Sequence, residues 1–193
     1  SMKDLHTPEF TMAEWYRVGA SLDDIMGDIE QLSKAVALRL IQLYPQFNIH
    51  AERFTTEKWK RITMRDLWME TISIDLDMIT TREEFVAIAK ARGYEVGDTE
   101  QYEEIFYRIF LSEIEPKLVD MGLVMIYNYP ASMASLSRLS QDRKYARRVE
   151  AYIDGVELAN GFEELTNADE QRARFILEQE ERKQYGKPVY SID

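Results

Sequence analysis

The sequence predicts an α+β fold: a mainly antiparallel β-sheet flanked by helices, with a helical block set between the strands. Three observations carry this expectation. Period-two alternation occurs near the N-terminus and again beyond residue 123. Residues 20–118 instead repeat apolar side chains at helical spacing, punctuated by N-cap residues. The pair Asp154-Gly155 separates two alternating runs as a hairpin turn does.

The elements follow in order. Residues 9–16 alternate as a strand, placing Phe10, Met12, Glu14 and Tyr16 on one face. Ser21, with Asp24 three residues on, caps a helix whose stripe is Ile25, Ile29, Leu32, Val36 and Leu40, and Pro45 ends it. A short strand is expected around Trp59–Ile62. Thr63 with Asp66 opens a second helix carrying Leu67, Trp68 and Ile72. Thr81 with Glu84 opens a third, through Phe85, Ile88 and Ala89 to Gly93. Thr99 is expected to start a fourth, with Tyr102, Ile105, Phe106, Ile109 and Phe110 as its apolar face and Pro116 beyond its end. Residues 123–129 read as a buried strand stopped by Pro130. Arg148–Asp154 and Val156–Phe162 form the hairpin, and Thr166 or Asn167 caps a last helix through Arg182. Phe175 and Leu177 mark its apolar side, and Gly186 ends it.

At 193 residues the chain suffices for one domain with a substantial core. Its 45% apolar and 31% charged residues fit an ordinary globular protein. No run approaches the roughly 20 apolar residues of a membrane span, and the first residues lack the apolar region of a signal peptide, so a cytoplasmic location and no membrane partner are expected. The absence of cysteine excludes disulfides, thiolate zinc sites and thiol catalysis. Two histidines, His6 and His50, are too few for a His-rich metal site. The net charge of −11, from 35 acidic and 24 basic residues, argues against tRNA as a main partner, since phosphate neutralisation supplies most of such affinity. A local patch at Arg138, Arg143, Lys144, Arg147 and Arg148 reads either as a nucleic-acid contact or as a solvated, charge-balanced surface.

The segment 155–166 carries the chemistry. On a strand, Asn160, Phe162 and Glu164 share a face. Glu157 has the opposite parity and joins them only through a bulge or kink, for which Gly161 or the pair Ala159-Asn160 is available. If it joins, two carboxylates, an amide and a ring converge. That set suits an ammonium group on an apolar stem, and carboxylates facing phosphate oxygens suit Mg²⁺. A hairpin with a solvated acidic edge is the alternative reading.

The run ELANGFEEL at 157–165 resembles the signature of lysyl-tRNA-synthetase-type class II enzymes. The opening LHTPEFTMAEWY at 5–16 is similar to the second half of their motif 2, and 129–136 resembles the strand and loop between. The wording Ala-Asn-Gly-Phe and Pro-Ala-Ser is closest to the elongation factor P–(R)-β-lysine ligase subfamily, which has no anticodon-binding domain. The resemblance implies a single partial class II synthetase-like catalytic domain over 1–193, with 5–17 and 123–193 supplying sheet and active-site elements. It implies an amino-acid pocket at Glu14, Tyr16, Asn160, Phe162 and Glu164, with Glu164 receiving an amine. It places Glu157 and Leu158 on the ATP side, with Glu157 and Glu164 as candidate Mg²⁺ ligands. The implied enzyme is an ATP-dependent ligase that activates lysine or β-lysine as an adenylate and passes it to a lysine of elongation factor P.

Departures are equally legible. The run begins inside motif 2 and stops before motif 3, so the two arginines those motifs supply are not in it, and motif 1 is missing. One such donor is worth about 10²–10³ in rate, so impaired activity is expected. Thr7 stands where the subfamily usually has Asn, and Met133 where a polar residue is common. The alternative function is a non-catalytic amino-acid-binding module or partner subunit derived from a synthetase. An open sheet exposes strand edges, so a homodimer is also expected.

Overall fold

The computed structural model describes residues 9–192, the side chains of 47–50 excepted. Helix α1 (Leu22–Leu43) starts at Ser21, whose hydroxyl accepts the Asp24 N–H while the Asp24 carboxylate accepts the Ser21 N–H. A short 3₁₀ turn at Pro45–Phe47 leads into α2 (Asn48–Thr56), which the sequence reading left unassigned. Strand β1 (Lys60–Thr63) precedes α3 (Met64–Ile72), where Thr63 caps Asp66 as expected. Helix α4 (Arg82–Ala91) carries the Thr81–Glu84 capping box.

Helix α5 (Tyr102–Ile109) begins two residues later than expected. Gln101, not Thr99, is the cap, and its N–H is taken by the Glu104 carboxylate. A π-turn (Phe110–Ile114) and a 3₁₀ stretch (Glu115–Met121) follow, because Pro116 has no N–H to continue an α-helical ladder. Strands β2 (Leu123–Pro130), β3 (Tyr145–Ile153) and β4 (Val156–Phe162) come next, then α6 (Ala168–Gln184) capped by Asn167.

The sheet order is β1-β2-β3-β4. Both later pairings are antiparallel, and β1 joins β2 in parallel, matching Ile62 with Ile126. Alternation along β2 and β3 gives the sheet two buried faces. Val124, Ile126 and Tyr152 meet the helical block, whose centre is Trp68, Phe85 and Phe106. The rings of Trp68 and Phe106 stack with centroids 4.8 Å apart. Met125, Val149 and Ala151 meet Leu22, Met26 and Ile29 of α1 on the other side. The sheet is thus sandwiched between the helical block and α1.

Three expectations need correcting. Residues 9–16 form no strand, and Phe10, Met12, Glu14 and Tyr16 are exposed. Residues 5–8 of that run, with Thr7, lie outside the described residues. The α1 stripe is buried only at its start: Leu32, Val36 and Leu40 are 45%, 49% and 40% exposed, lying beyond Leu22, Met26 and Ile29, which pack on the sheet. Helix α6 buries none of its residues, and Leu177 is exposed, for no core element packs against that side.

Candidate functional site

The β3–β4 hairpin builds the site. Asp154 and Gly155 both take positive φ, 50° and 82°, the geometry of a two-residue turn matched to strand twist. Gly155 is required twice over, because a Cβ there would lie 2.9 Å from Val119 Cγ2. Beyond the turn, Tyr152 pairs with Glu157 but Ala151 pairs with Ala159, leaving Leu158 as the extra residue of a bulge. The bulge lies one residue earlier than the positions the sequence offered. It turns Glu157 onto the face of Asn160 and Phe162, opposite Tyr152, Glu150 and Arg148 of β3.

A groove of about 1280 Å³ runs along β4. Glu14, Tyr16, Glu157, Leu158, Asn160, Phe162 and Glu164 all line it, with the Phe10–Arg17 segment forming the opposite wall. At one end, Tyr16 lies beside Glu14 and Glu164. Their negative charges, Glu14 first, together with a hydrogen bond to Glu14, raise its phenol above the ordinary range. Neither Glu14 nor Glu164 has an ion-pair partner among the described residues. This end is a pair of open carboxylates around a phenol, with the Phe162 ring nearby on the same strand.

The other end rests on a buried network that the sequence reading missed. Glu150 is 6% exposed and accepts hydrogen bonds from the Tyr129 hydroxyl at 2.5 Å, the Tyr152 hydroxyl at 2.6 Å and Arg148 Nη2 at 2.5 Å. The Arg148 guanidinium also lies 4.8 Å from the Tyr129 ring centroid. Burial first, then Glu150, pushes both phenols upward, so each keeps its proton and donates it. Glu157 opens to the groove in front of this network. Desolvation by the surrounding protein and repulsion from Glu150 and Glu115 raise its carboxyl, while Arg148 pulls the other way. The signal was legible: Arg148, Glu150 and Tyr152 alternate along β3 and therefore share a face.

Glu163 was also missed. Its Oε1 accepts the Leu22 N–H at 2.8 Å and Arg147 Nε and Nη2 at 3.2 and 3.1 Å, so it moors the start of α1 to the end of β4. Its neighbour Glu164, of opposite parity, is left to the groove.

The bulge puts Glu157 on the face of Asn160 and Phe162, and both carboxylates line the groove, with seven residues of chain between them, a span of up to about 23 Å if fully extended. Among the described residues, no group of three or more His, Asp or Glu is placed to hold a metal. Four of the five residues of the basic patch are ion-paired: Arg143 with Glu170, Lys144 with Asp77, Arg147 with Glu163 and Arg148 with Glu150, while no ion pair of Arg138 occurs among the described residues. No described helix is long and apolar enough to cross a membrane.

Comparison with known proteins gives one answer. The family model of class II tRNA synthetases (D, K and N) matches residues 1–191. The elongation factor P–(R)-β-lysine ligase of Proteus mirabilis is 34% identical over 190 residues, covering 97% of this chain and 53% of the relative. Its counterparts in Edwardsiella ictaluri and Salmonella typhi are 34% and 33% identical with the same coverage. The chain therefore spans about half the length of these relatives.

Proposed function

Because the chain belongs to the family of class II tRNA synthetases (D, K and N), we propose that its groove binds a lysine-type amino acid for ATP-dependent ligation. The observation that carries this reading is the meeting of Glu14, Tyr16 and Glu164, unpaired acids beside a phenol. An ammonium group is the complement of that end, and the Phe162 ring suits an alkyl stem. Asn160, midway along β4, offers a directed hydrogen bond to the substrate's polar end.

The reaction named for the relatives supplies the rest of the proposal. The substrate carboxylate attacks the α-phosphorus of ATP, pyrophosphate leaves, and the acyl group then passes from AMP to an amine of elongation factor P. Glu157 and Leu158 form the ATP side. A divalent cation fits there: Glu157 is crowded by protein and by Glu150 and Glu115, and positive charge would relieve that repulsion. Mg²⁺ with ATP would supply the phosphoanhydride and offset its charge, with Glu157 as the protein ligand. Glu150, fixed by three donors, holds Arg148 and Tyr152 rigid behind Glu157. The net charge of −11 and the paired arginines support a protein acceptor rather than tRNA.

Calorimetric titration with L-lysine and (R)-β-lysine, with and without Mg-ATP, tests the proposal. Binding that Glu164→Ala weakens at least tenfold, and that Mg-ATP strengthens, is the expected result. Binding indifferent to Mg-ATP would point instead to an amino-acid-binding module. Affinity unchanged by Glu164→Ala would overturn the assigned pocket.

A further inference from the structure

Glu163 stands between two regions of opposite charge. It lines the groove that holds Glu14, Tyr16 and Glu164, and it also lines a shallow cavity with Arg138, Ser140 and Arg147. Its Oε1 receives Arg147 Nε at 3.2 Å and Nη2 at 3.1 Å, while Arg147 Nη1 reaches Asn128 Oδ1 at 3.5 Å. The two side chains are 27% and 17% exposed, so salt screens this pair less than one on the open surface.

The carboxylate is fixed from several directions. The capping box of α1 serves the N–H groups of Ser21 and Asp24, and the N–H of fully buried Leu22 goes to Glu163 Oε1 at 2.8 Å. The main chain is held as well: Glu163 N–H donates to Arg147 O at 2.9 Å, and its carbonyl accepts from Arg138 N–H at 2.7 Å. Both arginines therefore stand on residues bonded to the main chain of Glu163, one position from Glu164. The next link, Leu165 N–H to Leu136 O at 2.8 Å, pins the chain on the far side of Glu164. Glu164 is thus set rigidly beside two cations, yet its own carboxylate has no ion-pair partner among the described residues.

The charges decide what that arrangement does. Open acids attract an ammonium group only where no protein cation answers them first. With Glu163 in place, the positive charge of Arg147 is spent on the α1 side of β4. Without it, an uncompensated guanidinium would oppose an ammonium entering beside Glu164.

We propose that Glu163 is a positioning residue for amine recognition: it holds Arg147 and offsets its charge, leaving Glu14 and Glu164 to the substrate's ammonium. The proposal deepens the amino-acid reading and rests on it.

Calorimetric titration with L-lysine tests it through three variants. Glu163→Gln keeps an acceptor for Leu22 and removes the charge, and it should weaken lysine binding about tenfold, the loss of one charge-assisted hydrogen bond. Adding Arg147→Leu to Glu163→Gln should restore the parent affinity. Ser21→Ala, which loosens the same end of α1 without touching these charges, should leave affinity unchanged, with far-UV circular dichroism confirming that each variant folds. Parent affinity in Glu163→Gln, a loss that Arg147→Leu does not restore, or an equal loss in Ser21→Ala would overturn the role of Glu163 and leave the pocket standing. A parent chain that does not bind lysine, or binds it indifferently to Glu164→Ala, would overturn both.

Discussion

Strands β3 and β4 are the two arms of one hairpin, and they are built for different tasks. Strand β3 is buried along most of its length, between Trp68 and its neighbours on one face and α1 on the other. Strand β4 has no buried residue, although every side chain of the proposed pocket except Glu14, Tyr16 and Glu164 lies on it. Both carry glutamates on the same face. Glu150 of β3 is held by three donors, while Glu157 of β4 and Glu164 just beyond it are left open. The difference teaches that the stability of this hairpin resides in one strand and its proposed binding chemistry in the other, so variants of the two should separate cleanly.

The largest contrast lies beneath β3. Trp68 is fully buried, stacked on Phe106 and tilted 5.8 Å from Phe85. Trp68→Ala should cost about 3–5 kcal/mol, the usual range for deleting a large aromatic from a core. Phe162→Ala, at a position 38% exposed on β4, should cost about 1 kcal/mol or less while weakening substrate binding. Urea unfolding of both variants measures the contrast. Similar losses from the two would erase the division between the strands.

A smaller effect is expected at the paired glutamates. Glu150→Ala leaves the Arg148 guanidinium and two phenols without their acceptor. Losing one member of a fully buried pair costs about 3–5 kcal/mol, and the side chain of Arg148 is 19% exposed, so about 2–3 kcal/mol is expected. Glu164→Ala should leave the unfolding midpoint within about 0.5 kcal/mol of the parent. If both substitutions shift stability equally, Glu164 has a structural role and the proposed pocket loses its chief residue.

How much of this was legible in the sequence depends on the range of the interactions involved. Caps are local, so Ser21, Thr63 and Thr81 announced their helices, Asn167 proved the cap of the two offered with Thr166, and Asp154-Gly155 announced its turn. The strand expected over residues 9–16 failed because alternation states only that a segment is able to pair. Whether a partner edge is in reach is a non-local fact. The α1 stripe failed at Leu32 for the same reason: periodicity gives a face, and only the sheet beneath decides how far that face is covered. The proposed pocket residues came from the resemblance, and they line one groove, whereas the bulge that reorients Glu157 depends on register against β3. The Glu150 network shows in the sequence only as alternation along β3, because its Tyr129 donor comes from β2 and is brought to it by the sheet.

The smallest effect concerns a carboxylate outside the hairpin, next to the start of β3. Asp75 receives Arg65 Nε at 2.6 Å and Nη2 at 2.7 Å, and it also accepts the Asp77 N–H at 3.0 Å. These bonds, the Arg65 pair foremost, lower its pKa to about 2. Its neighbour Asp77 in turn accepts from the Tyr145 hydroxyl at the start of β3. A carboxyl whose folded pKa lies below its unfolded value, near 3.9, stabilises the fold above that value. The contribution fades as pH falls from about 4 towards 2. The Arg65 side chain is 43% exposed, so solvent screens the pair and the gain is modest. The unfolding-midpoint gap between the parent and Asp75→Asn should therefore be widest near pH 6 and much narrower by pH 2. A gap of equal size at both pH values would mean that Asp75 acts through backbone geometry at Asp77 rather than through its charge, and that β3 is anchored at this end without electrostatic help.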